Sequence, residues 1–221
     1  MSSERSVERC VVSRVALRYN PDHGLERAAR PLGCRAACCW NRYPMSGNWE
    51  AYEPYRPPYR GPLAQLSRWE AEVSFAAWMA ARTDRWRQLR RLVGDDVSLG
   101  EEDEDIQLLN DWFRSSVESN PEDPERLSNR WYAVVNDVAV VLGDVLIERC
   151  PGLAWEFFTK GGKSDVAYQK HVITGFTKAP NAKFNLDVDR LVATYAYQIV
   201  AGTAVTEDYF VKLLAAGRLR A

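Results

Sequence analysis

Only two histidines, His23 and His171, and five cysteines occur in the 221 residues. Four of the cysteines, Cys10, Cys34, Cys38 and Cys39, fall in the first 44 residues, so Cys150 stands alone in the rest. That excludes a disulfide scaffold for residues 45–221 and makes a reducing cytoplasm the expected compartment. The early cysteines and His23 match no paired zinc-finger spacing, and no metal or other cofactor is expected. No stretch approaches the ~20 apolar residues that a membrane helix needs, which argues for a soluble protein without a membrane partner. Arg9, Arg14 and Arg18 interrupt the only segment resembling a secretory signal core.

Catalytic motifs are equally sparse. No Gly-x-Ser-x-Gly elbow occurs, and Cys150 beside Pro151 sits in an apolar context where a thiol is inert. Gly162-Lys163-Ser164 looks like the end of a phosphate loop, but Phe157 stands where the pattern wants glycine, and a strand is expected afterwards rather than a helix. The acids of 95–105 lack the glycine and final glutamate of a calcium-binding EF-hand.

Charge divides unevenly along the chain. Residues 1–44 carry eight arginines and four acids, leaving 21 basic and 26 acidic residues, a net of −5, for 45–221. A mildly acidic body weighs against broad nucleic-acid binding, which depends on basic side chains meeting phosphate. The composition changes at Met45, so residues 1–44 are expected to be a disordered extension, with Met45 as the physiological start. Residues 45–62 read as an arm rich in proline and aromatics, and 63–221 as a single α+β domain.

Within the arm, Trp49, Tyr52, Tyr55 and Tyr59 alternate with prolines, a composition that favours extended chain with its rings laid on the domain surface. Apolar residues at helical spacing then predict a long helix over 63–93, closed by Gly94. Its last turns hold Arg82, Arg85, Trp86, Arg87, Arg90 and Arg91, suited to a helix C-terminus and, in a sharper reading, to nucleic acid. The acids of 101–105 fall on the first turn of a second helix, where negative charge is favourable.

The chain is organised around 128–176. Trp131, Val134, Val135, Val138, Val141, Leu142, Val145 and Leu146 recur at steps of three and four, which predicts one long helix capped by Ser128 and ended by Pro151-Gly152. Asn136, Asp137, Asp144 and Glu148 are expected on its polar face. An aromatic segment, 153–159, and a loosely alternating one, 166–176, then predict a hairpin turning at Gly161-Gly162. Asp187 and Thr206 are read as caps of two further helices, and Gly217 as the residue that closes the last. The expected fold is therefore α+β and mainly helical, with a valine-rich central helix packed on a β-hairpin or small antiparallel sheet.

Two kinds of site follow. His171 stands alone in the body, and Asp137, Asp144 and Glu148 lie on one side of the central helix. If the hairpin crosses that side, these four residues would form an acid-base or metal site for a hydrolase. Trp49, Tyr52, Tyr55, Tyr59, Arg85, Trp86 and Arg90 are the candidate binding residues. The leading expectation is a cytoplasmic interaction protein, regulatory or toxin-neutralising, that captures a basic protein partner without catalysis. The hydrolase is second, and a nucleic-acid-binding protein using Arg82 to Arg91 is third.

Overall fold

A computed structural model describes residues 47–221 apart from Asp96, Gly161 and Ala182. The expectations for residues 1–44 and for a start at Met45 lie outside the described residues. Five α-helices and a two-stranded antiparallel sheet follow one another as α1 Arg68–Val93, α2 Asp103–Ser116, α3 Asn129–Arg149, β1 Ala154–Phe157, β2 His171–Thr174, α4 Val188–Val200 and α5 Tyr209–Arg218. This is the α+β, mainly helical architecture that the periodicity predicts. None of the described helices is long and apolar enough to cross a membrane.

Helix α3 is the centre. It is apolar on nearly every side, so neighbours must cover it all round, and α1, α4 and α5 do so while α2 packs on α5. Trp131 at its start joins Trp112 and Phe113 of α2, with ring centroids 5.6 Å apart in both pairs. Phe113 also meets Tyr195 of α4 and Phe210 of α5, which locks four helices through one aromatic cluster. Of the seven tryptophans described, Trp78, Trp112, Trp131 and Trp155 are buried, so the tryptophan content mainly builds interior.

Several local expectations are corrected. The 63–93 segment is two elements, a 3-10 turn at Leu63–Gln65 and then α1, because Ser67 and Glu70 form a reciprocal capping box that starts the helix afresh. Ser128 occupies the N-cap of α3 without a side-chain cap bond. The hairpin is shorter than the alternation implies. Only His171–Thr174 pairs with β1, in the register Trp155↔Ile173 and Phe157↔His171, while Val166 is exposed in a turn. Among the described residues of this connection the left-handed one is Gln169, at φ 60°, and Gly162 is not left-handed. The Gln169 carboxamide donates to the carbonyls of Leu63 and Leu66, at 2.6 and 3.2 Å, which ties the connection to the 3-10 turn ahead of α1.

The outer edge of β2 is completed by a two-way backbone pair between Ile173 and Leu186, both bonds 2.9 Å. Asp187 then caps α4 through the Arg190 N–H as expected. Asp208 rather than Thr206 precedes α5, and Gly217 lies inside that helix, pressed against Leu146.

Candidate functional site

Asp137 and Asp144 do share one side of α3, the side that faces α1. There each meets its own partners. Asp137 is fully buried, contrary to the polar face expected for it, and accepts a 2.7 Å hydrogen bond from the Tyr52 hydroxyl. The Arg85 guanidinium lies 3.7 Å away. Asp144 accepts from Arg82 at 2.5 Å and from the indole N–H groups of Trp86 and Trp155 at 3.1 and 2.8 Å. Glu148 is exposed one turn later.

His171 has other neighbours. Its ring stacks on Trp78, centroids 4.0 Å apart, and Trp155 stands edge-on to both. The carboxylates that act on it are Asp189 and Asp187, at the start of α4, with Lys170 opposing them. The reason is register. Leu186 pairs with Ile173, so the residues following Leu186 run back past His171. Burial holds the His171 pKa below its ordinary value, which leaves the ring neutral near pH 7. Burial also raises the pKa of Asp189, against the pull of His171 and a hydrogen bond from Asn136. Asp187 is paired with Lys170 at 2.9 Å. Among the described residues no group of three or more His, Cys, Asp and Glu is placed to hold a metal ion.

What His171 does line is a recess of about 190 Å³. The arm contributes Tyr55 and Tyr59 to it, and α1 contributes Ser74, Phe75 and Trp78. Asn136 and Gln169 complete its polar part; the Trp78 indole N–H donates to the Asn136 side-chain Oδ1 at 3.3 Å. None of the lining side chains is an Asp, Glu, Lys or Arg. Three of them carry a polar atom closed off from solvent and without a hydrogen-bond partner in the protein: Tyr55 Oη, Ser74 Oγ and His171 Nε2. Such atoms are uncommon, because an unpaired buried donor or acceptor costs about 1–3 kcal/mol.

The remaining predicted binding residues divide between interior and surface. Tyr52 is buried, and Trp49 packs edge-on against Trp131 at 5.7 Å with the Arg130 guanidinium 4.0 Å over its ring. Arg85 is 3% exposed and donates twice to the Glu53 carbonyl, anchoring the arm. Arg90 donates to the Leu99 carbonyl. Much of the arginine cluster therefore holds the arm, α3 and the loop before α2 in place. Arg149, at the end of α3, pairs with Asp103 of the acidic stretch.

Sequence reasoning missed Ser74, Trp78, Asn136, Gln169 and Asp189. Ala71, Ser74 and Trp78 follow at three and four residues and so share a face of α1, which was a legible signal. Asp189 had a weaker one, its place on the first turn of α4 behind the Asp187 cap. Fold and recess together define a mainly helical α+β protein with a small uncharged pocket beneath an N-terminal arm. Comparison with protein-family models, curated proteins and solved structures finds no match.

Proposed function

We propose that this protein acts by binding a protein partner in the cytoplasm, in a regulatory or toxin-neutralising role, and that the arm and the recess beneath it form the contact. The observation that carries the reading is Trp69. Its side chain is 63% exposed and packs edge-on against Tyr59, a wall of the recess, at 5.7 Å. A tryptophan left in water beside a small pocket is the kind of anchor that dominates protein interfaces, where burying it on a partner contributes several kcal/mol. The excess of acids in 45–221, with Glu101, Glu102 and Glu104 exposed, favours a basic partner and fast, salt-sensitive association.

Against turnover stands the engagement of the candidate carboxylates by other side chains. Asp137 and Asp144 are occupied by Tyr52, Arg82, Trp86 and Trp155, and the carboxylates that act on His171 are Asp187 and Asp189 instead. A nucleic-acid role is disfavoured by the inward use of Arg82 and Arg85.

The test is affinity capture from the native host with the full chain and with Trp69→Ala as parallel baits. The expected result is a basic protein in stoichiometric amount on the wild-type bait, lost on the variant and released by high salt. Equal recovery on both baits, or no protein on either at low salt, would overturn the proposal.

A further inference from the structure

We propose that the recess beneath the arm is a specific site for a neutral, single-ring aromatic group bearing a hydrogen-bonding atom, a phenol-like ligand. This rests on reading the recess as a binding site and goes further by naming what it takes. Size sets the first bound. At about 190 Å³ the recess exceeds the ~150 Å³ apolar cavity that admits benzene, yet falls short of the ~300 Å³ at which pockets for drug-sized ligands begin. One ring fits, and a nucleotide does not.

The walls set the second bound. Tyr55, Tyr59, Phe75 and Trp78 supply ring faces and edges against which another ring packs favourably. No lining side chain is an Asp, Glu, Lys or Arg, and His171 is neutral. An ion entering would lose its hydration and meet no opposite charge on any lining side chain; Arg85 beyond Tyr55 and Asp189 beyond His171 act only from behind the wall, so charged rings are disfavoured.

The third bound comes from the unpaired atoms. Ser74 is 4% exposed and its Oγ has no partner, and the same holds for Tyr55 Oη and His171 Nε2. A hydroxyl both donates and accepts, and a neutral imidazole nitrogen does one or the other, so a ligand carrying an O–H or N–H satisfies one of them when a small side-chain turn brings that atom to the recess wall. A plain hydrocarbon of equal size would leave all three unpaired.

Two sources offer this chemistry, a free phenolic molecule and a tyrosine side chain of a protein partner. The experiment titrates the full-length protein with phenol, toluene, benzoate and N-acetyltyrosinamide, following ligand and protein signals by NMR. Phenol should saturate, toluene should bind about fivefold or more weakly for want of one hydrogen bond, and benzoate should not bind. N-acetyltyrosinamide binding more tightly than phenol assigns the site to a partner's tyrosine; its exclusion assigns it to a free molecule. In the double variant Tyr55→Phe/Ser74→Ala, phenol should fall to the affinity of toluene, with toluene unchanged. The unliganded variant should melt no lower than wild type, since it loses hydroxyls that bond to nothing. The inference is overturned if neither phenol nor N-acetyltyrosinamide saturates, if benzoate matches phenol, or if the variant keeps the preference for phenol over toluene. Capture of a partner by Trp69 is read separately, so either proposal can fail while the other stands.

Discussion

Asp137 shows how burial can outweigh a nearby opposite charge. Loss of water pushes its pKa up from 3.8 to about 7, with Asp84 adding to the rise, although Arg85 and the Tyr52 hydroxyl both pull it down. The Arg85 Nε and Asp137 Oδ1 face each other at 3.7 Å without a hydrogen bond, which explains the weak compensation. Between about pH 4 and 7 the folded protein holds a proton here that the unfolded chain has released. Stability contributed by this residue therefore falls as pH rises through that window, and is constant below and above it. Asp137→Asn should remove the effect, so the variant should gain on wild type from pH 4 to 7 and level off beyond. Urea unfolding at a series of pH values measures this, and a constant difference between the two proteins would refute it. His171, whose pKa is lowered, contributes a slope of opposite sign below its ordinary value, but it is common to both proteins and cancels. The sequence placed Asp137 and Asp144 correctly on one side of a helix. It could not tell a solvated face from a buried one, because that depends on the arm and α1 covering it.

At the scale of elements, Gly143 illustrates a residue whose reason lies on another segment. In the middle of a valine-rich helix, glycine is a poor former, disfavoured by ~1 kcal/mol against alanine. Here it leaves room for the Trp155 indole, which a β-carbon would strike, and that indole reaches past it to donate to Asp144. Gly143→Ala should thus lower stability by about 1–3 kcal/mol despite better helix propensity, since overpacking forces the indole off its bond. A melting temperature equal to or above wild type would contradict this. Elements whose signals are local were legible: α2 behind its acids, α3 by period, and α4 behind Asp187. The strand at 166–170 was misread because alternation alone does not supply a partner. Gln169 turns left-handed, so the regular register stops at His171, and beyond it Phe158 alone still bonds to the Gln169 and Lys170 backbone.

For the molecule as a whole, the arm is a structural member rather than an appendage. Tyr52 is part of the core, Asn48 N–H donates to the Leu92 carbonyl, and Glu53 is held by both Gln88 and Arg85. A chain beginning at Gly61 should lose roughly 3–5 kcal/mol, the cost of removing one large buried aromatic, and with it the Tyr55 and Tyr59 walls of the recess. Denaturant unfolding that leaves its midpoint unchanged would show that the arm does not share the core.

Periodicity, caps and turn residues specified most of the helices, the central place of α3 and the presence of an aromatic hairpin, because each of these signals acts between residues a few positions apart. The recess is different in kind. It exists because the arm, α1, Asn136 of α3, Gln169 and β2 meet at one point, and His171 faces Trp78 and Asp189 because Leu186 extends the sheet. Such meetings join residues separated by tens of positions, and only the way the elements cross decides them.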